Sequence, residues 1–300
     1  MNVRIVEVGP RDGLQNESRP IPTDAKVAFV DALSEAGYDE IEVTAFVSPK
    51  WIPQLADADE VMAMIRRREG VRYSALVPNE QGYERALAAR VGKIAVFTAA
   101  SETFNRKNIN ATVDESIERF RPVVAAALAA RLPVRGYVST AFWCPFEGKI
   151  APKSVVSVAR RLLDLGVEEI SIGDTIGKAV PADVHALLDL LLDAAPQDAL
   201  AMHFHDTYGT AIANALTAYE RGVTIFDASA GGVGGCPYAP GASGNVATED
   251  LLWALRSSGA TLTLDLDRVR AASDVLAAAL GRPLHSRVRD ALGGNGPGPR

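Results

Sequence analysis

Eight short runs rich in β-formers are spaced along this chain with helix-length segments between them, and that alternation constrains the fold more than any other feature. The runs are Val3–Val8, Glu40–Phe46, Val71–Val77, Lys93–Thr98, Val134–Phe142, Glu169–Gly173, Leu200–His205 and Thr224–Ala228. Strands joined through helices pair in parallel, because each crossover returns the chain to the same end of the sheet, and eight such units are the number that closes a barrel. The expected class is therefore α/β: a (β/α)8 TIM barrel over residues 1–250, a short C-terminal helical extension of the same domain over 251–292 that covers one end, and a flexible tail at 293–300. An open doubly wound sheet is the alternative for the same alternation.

Local signals agree with that division. Thr112 followed by Glu115 forms a capping-box pattern, Pro181 suits a first helical turn, and Gly37, Gly166 and Gly222 supply helix stops. Between Asp24 and Ala36, the spacing of Val27, Phe29, Val30 and Leu33 gives one apolar stripe, as expected of a helix lying on a barrel.

Composition narrows the classes of function. With 48% hydrophobic and 23% charged residues the chain can bury a large core. A net charge of −6 gives no electrostatic reason to bind nucleic acid or an anionic membrane, so an anionic substrate must find local cations. Met1–Ile5 runs straight into a strand pattern, and no apolar stretch approaches the ~20 residues of a membrane span. Two cysteines, Cys144 and Cys236, are too few for a disulfide scaffold and suit a reducing compartment, so a cytoplasmic protein is expected.

In such a barrel the chemistry gathers at the C-terminal strand ends. His203-Phe204-His205-Asp206 closes the seventh strand, and the two-residue pleat places both imidazoles on one face, able to reach one ion. A hydrogen-bonded pair of core histidines is the alternative. Asp12, just after the first strand, and Asn245, just after the eighth, lie on neighbouring strand ends, so Asp12, His203, His205 and Asn245 form a candidate mixed nitrogen and oxygen site suited to Mg²⁺ or Mn²⁺. Glu42 and Asp174, at the ends of strands two and six, and Arg11 beside Asp12 add acids and a cation; a structural ion pair is the alternative for each, but such a cluster is costly to bury unless its charges compensate one another and points to a site. The run Gly231–Asn245 is too glycine-rich for regular structure and reads as a mobile loop that carries Cys236 toward the barrel mouth. His185 and His285 fall in helical or tail patterns and are expected on the surface.

These motifs resemble a known family, the 3-hydroxy-3-methylglutaryl-CoA lyases among the metal-dependent lyase and synthase barrels. The resemblance rests on Glu7 through Glu17, Ile41-Glu42-Val43, Gly173 through Gly177, His203 through Asp206 and Gly234 through Asp250, and it runs from residue 3 to about 290. The Gly-Gly-Cys-Pro-Tyr segment is particular to the lyases, whereas the Arg-Asp-Gly and His-x-His elements are shared with synthases.

The resemblance implies Asp12, His203, His205 and Asn245 as metal ligands. It implies Arg11, Asp12, Glu42, Asp174, His203 and Cys236 as catalytic or substrate-orienting, Glu249 as support for the loop, and Gln15, Asn108 and Thr175 near the substrate. It further implies an acyl-CoA substrate, cleavage of 3-hydroxy-3-methylglutaryl-CoA to acetoacetate and acetyl-CoA, and a homodimer. Trp143, where a smaller residue is expected before Cys144, departs from the pattern and is expected to reshape the acyl pocket, so a longer 3-hydroxy-3-alkylglutaryl-CoA is an alternative substrate. A synthase joining an acyl-CoA to a 2-oxo acid, and a non-catalytic barrel, are the other readings.

Overall fold

In the computed structural model, which describes residues 1–235 and 244–293, the eight expected strands are all present and close on themselves. In chain order the strands are β1 (Arg4–Glu7), β2 (Glu40–Ala45), β3 (Arg72–Leu76), β4 (Lys93–Ala99), β5 (Val134–Ser139), the short β6 (Trp143–Cys144) and β7 (Gly148–Lys149), β8 (Glu169–Asp174), β9 (Leu200–Phe204) and β10 (Ile225–Ala228). The barrel order is β1-β10-β9-β8-β5-β4-β3-β2, every pair is parallel, and β2 returns to β1 to complete the ring. The open sheet is thereby excluded.

The helices α1 (Thr23–Ser34), α2 (Ala58–Met64), α3 (Glu80–Ala88), α4 (Glu102–Ile109), α5 (Val113–Ala129), α6 (Pro152–Asp164), α7 (Pro181–Leu191), α8 (Ala211–Glu220) and α9 (Thr248–Ser257) ring the barrel, followed by α10 (Leu266–Leu280) and α11 (Arg287–Gly293). The capping box is formed: Glu115 N–H donates to Thr112 Oγ1 at 2.9 Å and Thr112 N–H to Glu115 Oε2 at 2.8 Å. Pro181 opens α7, and Gly37, Gly166 and Gly222 all adopt the left-handed conformation beyond helix ends. On α1, Phe29, Val30 and Leu33 are fully buried while Val27 is half-buried.

Two expectations change. The fifth strand stops at Ser139 rather than Phe142, because Thr140 sits at φ 52°, a conformation no strand can continue through. The chain then leaves the barrel and returns as the antiparallel β6-β7 hairpin. The segment after α9 does not lie across one end. Thr261 bridges to Asn2 beside the N-terminal end of β1, α10 packs between α1 and α9 in the outer ring, and His285 N–H reaches Gly231 O at 2.9 Å near the opposite end. The expected tail, from 294 on, lies outside the described residues.

Most of the core is the apolar layer between strands and helices. The barrel interior is different. Small apolar groups occur there, Val6, Val8, Ala201 and Ile225 on one side and Ala45, Leu76, Ala95 and Tyr137 on another. Its floor is charged: Glu40 and Glu169 meet Lys93 at 3.1 and 2.9 Å, Arg4 pairs with both acids, and Arg135 Nε lies 3.1 Å from Glu169. Burying so many charges is tolerable only because each has an opposite partner.

Candidate active site at the barrel mouth

The turn after β1 builds the first wall of the site. Arg11, Asp12 and Gly13 all direct their backbone N–H groups to Val8 O, at 3.2, 2.8 and 3.2 Å, which winds Gly9–Gly13 into a wide helical turn. Side chains of Arg11 and Asp12 are thereby presented at the mouth. A register shift between Glu42 and Thr44 in the β2-β3 pairing gives β2 an extra residue there, a bulge beside the site. Arg11 Nε donates to Glu42 Oε2 at 2.7 Å, Arg11 Nη1 to Asp12 Oδ1 at 2.8 Å, and Tyr137 Oη to Glu42 Oε2 at 3.0 Å.

The pleat of β9 aims His203 and His205 inward as expected. Each Nε2 lies near Asp12 Oδ2, at 4.0 Å for His203 and 3.9 Å for His205. Ligand atoms of the three residues all fall within 4.8 Å of one another. Asn245 is held beside them by a bridge to His205, and its Nδ2 donates to Asp12 Oδ2 at 3.0 Å and to Val233 O at 3.1 Å. This crowding requires glycine at 234: its φ is +144°, and a Cβ there would stand 2.7 Å from Asn245 Nδ2.

Electrostatics follow the geometry. Burial alone would raise the Asp12 carboxyl, yet Arg11 and the imidazoles hold it well below the usual carboxylate range. Burial raises Glu42, with Arg11 opposing. His205 is lowered by burial, and its buried Nδ1 has no hydrogen-bond partner among the described residues. For His203 burial is outweighed by the Asp227 hydrogen bond and the nearby acids, and the imidazole is raised. One anionic oxygen and two inward imidazoles, with an amide beside them, form a donor set that fits a divalent cation.

A cavity of about 1370 Å³ opens at the C-terminal strand ends, and Arg11, Asp12, Gln15, Asn108, Thr175, His203 and His205 all line it. Gln15 Oε1 is buried there without a partner among the described residues. Thr175 Oγ1 accepts the Thr140 N–H at 2.7 Å, which ties the ends of β5 and β8 together. Glu42 stands behind Arg11 rather than on the cavity wall. Asp174 is also set back: Lys178 and Ala179 N–H groups donate to its carboxylate at 3.1 and 2.9 Å, so it organises the loop that presents Thr175. Burial pushes it up to about 6 against those two bonds. Glu249, buried, accepts the Gly231 N–H at 2.8 Å and the Ser273 hydroxyl, which anchors the start of the glycine-rich segment. Cys236 lies outside the described residues. Gly235, next to it, is held by Asn16 Nδ2 at 2.9 Å.

Trp143 corrects its expectation. It is not on the cavity wall; its ring packs under Lys178 Nζ at 4.1 Å and its Nε1 reaches Asp183 at 3.4 Å, on the outer side of the β6-β7 hairpin. Cys144 is a buried packing residue with Sγ 3.1 Å from Ser101 Oγ, while His185 and His285 are exposed as expected. Sequence reasoning missed Asp227, Arg135, Tyr137 and Ser171, which surround His203. Their signal was present: charged or hydroxyl residues of one parity inside otherwise apolar strands.

A closed parallel barrel with a carboxylate, two imidazoles and a buried guanidinium at its mouth defines the class, a metal-site barrel enzyme. The family model described as HMGL-like matches residues 2–276. Hydroxymethylglutaryl-CoA lyase of Pseudomonas mevalonii is 51% identical over 290 residues, 97% of this chain and 96% of that protein. The rat cytoplasmic 3-hydroxy-3-methylglutaryl-CoA lyase is 50% identical over 96% of this chain and 84% of its own length. The solved structure of an HMG-CoA lyase from Acenitobacter baumannii in complex with coenzyme A and 3-methylmalate superposes with a TM-score of 0.92, at 40% identity over 97% of this chain and 95% of that one. The chain belongs to the HMGL-like family and is a carbon–carbon lyase.

Proposed function

We propose that this protein cleaves 3-hydroxy-3-methylglutaryl-CoA to acetoacetate and acetyl-CoA, using Mg²⁺ or Mn²⁺. The observation that carries the reading is the convergence of Asp12, His203 and His205 beside Arg11 at the cavity floor. Asp12, His203, His205 and, through its amide oxygen, Asn245 would hold the ion. When bound, it supplies Lewis acidity toward the substrate hydroxyl, whose proton must leave for the bond to break.

The chain's own groups account for the rest. Asp12, which keeps a second carboxylate oxygen, is the acceptor we assign for that proton, and His203 serves the reaction as a ligand that orients the substrate hydroxyl. Cleavage leaves negative charge on the thioester fragment, and Arg11 is the permanent cation placed to receive it. Glu42 and Tyr137 hold the guanidinium in place, Gln15, Thr175 and Asn108 contact substrate, and Asp174 fixes the loop that carries Thr175. Cys236, an acidic side chain or water are the donors open to the enolate carbon, and Glu249 steadies the start of the segment that leads to Cys236. Arg106, Lys107 and Arg119 also line the cavity and supply the local cations that the phosphates of an acyl-CoA need on a protein of net charge −6. We further assign the protein to the cytoplasm and to a homodimer, the first supported by its two-cysteine composition and the second by family resemblance.

The test is incubation of purified protein with the thioester and Mg²⁺ or Mn²⁺, with and without chelator. Acetoacetate should form only with metal. Metal-independent turnover, or none on any 3-hydroxy-3-alkylglutaryl-CoA, sinks the reading.

A further inference from the structure

Of the two inward imidazoles, one is braced and the other is not. His203 Nδ1 lies 3.1 Å from Asp227 Oδ2, whereas His205 Nδ1 is buried without a partner among the described residues. Asp227 is itself fully enclosed and fixed on three sides: its Oδ2 also accepts the Ser171 hydroxyl at 2.7 Å, and its Oδ1 accepts Arg135 Nη2 at 2.5 Å. Arg135 continues downward to Glu169, and Glu169 to Lys93 and Arg4. An unbroken line of alternating charge thus runs from the barrel floor to one imidazole of the site.

We propose that Asp227, clamped by Arg135 and Ser171, is a positioning residue that fixes the ring orientation and tautomer of His203. Paired with Arg135, the Asp227 carboxylate is ionised and has no hydrogen to give, so it can only accept from the imidazole; Nδ1 then carries the hydrogen and the bare nitrogen is Nε2, the one that faces Asp12. The same lone pair is required whether Nε2 holds an ion or takes a proton. The charged floor is then an outer part of the active site. His205 has no such brace among the described residues; its Nε2 lies 3.9 Å from Asp12 Oδ2.

The inference rests on the metal-site reading, and the experiment separates the two. In wild-type, metal-free protein at about pH 8.5, above the imidazole range, long-range ¹H–¹⁵N spectra of the four histidines report each tautomer. His203 should carry its hydrogen on Nδ1; a hydrogen on Nε2 overturns the proposal without any variant. Asp227→Asn must turn its NH₂ toward Arg135 or toward His203 and Ser171, so it should shift His203 to the Nε2–H form and weaken Mn²⁺ binding by roughly tenfold or more in titration calorimetry. Ser171→Ala, which keeps the Arg135 and His203 contacts, should stay within about threefold of wild type, on the scale of one lost hydrogen bond. Asp227→Asn with wild-type Mn²⁺ affinity, or Ser171→Ala losing as much as Asp227→Asn, counts against positioning by Asp227. Wild-type protein that fails to bind Mn²⁺ sinks the metal-site reading instead, while the tautomer result still decides the geometry.

Discussion

Arg11 is the residue on which the proposed chemistry depends most. Its guanidinium is enclosed, and although burial works against its charge, Glu42, Asp12 and the Tyr137 ring, 5.3 Å away, hold it protonated. Arg11→Met removes the cation assigned to the charge that develops on the departing fragment, so kcat should fall by about 10²–10³-fold, the range for losing a preorganised charge-stabilising donor. Circular dichroism should show the fold retained; undiminished turnover removes Arg11 from the mechanism. Trp143 gives a contrasting expectation. Because its ring packs under Lys178 and outside the cavity, Trp143→Ala should lower thermal stability slightly, on the order of 1 kcal/mol for a partly exposed cation–π contact. The ratio of kcat/KM between methyl and longer-alkyl substrates should not move; a changed ratio would restore Trp143 to the acyl pocket.

At the scale of the element, the two-residue pleat decides which side chains meet. On β8, Ser171 and Gly173 face the interior, and Asp174 has the opposite parity, which is why it caps its own loop instead of lining the cavity. That parity was readable from the sequence, as was the shared parity of His203, His205 and, on β10, Asp227. Asp12 and Asn245 were legible because barrel closure makes their strand ends neighbours. The end of β5 was not: nothing in Ser139-Thr140-Ala141 announces a threonine at positive φ, since the tertiary bond of its N–H to Thr175 Oγ1 imposes the turn. A similar dependence on a single backbone position yields a prediction at Gly234. Gly234→Ala places a methyl against Asn245 at a φ that alanine rarely adopts. Mn²⁺ affinity should drop by about tenfold, the loss expected when a ligand's support is disturbed, while Tm changes little. Unchanged affinity would show that Asn245 is not a ligand.

For the molecule as a whole, buried carboxyls set the response to pH. Burial pushes Glu7 up to about 7, although Tyr38 Oη at 2.6 Å, the Ala230 and Gly9 N–H groups at 3.0 and 2.9 Å and Thr248 Oγ1 at 3.0 Å pull the other way. The folded state therefore holds this proton more tightly than the unfolded chain. Its stabilisation is complete below the ordinary value of 4.5 and is lost as pH rises through about 7, on the order of 3 kcal/mol. Glu169 and Asp227 act in the opposite sense: burial is outweighed by Arg135 in both, joined by Lys93 and Arg4 at Glu169 and by His203 at Asp227, and both sit at about 2. Their contribution is present above the ordinary carboxylate range and disappears as pH falls toward 2. Urea unfolding of the metal-free protein should give greatest stability near pH 5 and a decline by pH 8; stability that climbs across that interval contradicts the assignment of Glu7.

The ion-paired floor also has a kinetic meaning. With Arg4, Lys93, Arg135 and their acids filling the lower bore, the reaction chamber is closed on that side, and both fragments leave through the mouth. On the function proposed above, with the phosphates of the acyl-CoA held by Arg106, Lys107 and Arg119, the oxo acid would form at the closed end and the thioester would stand between it and solvent. Acetyl-CoA should depart first, so that acetoacetate inhibits competitively against substrate and acetyl-CoA does not.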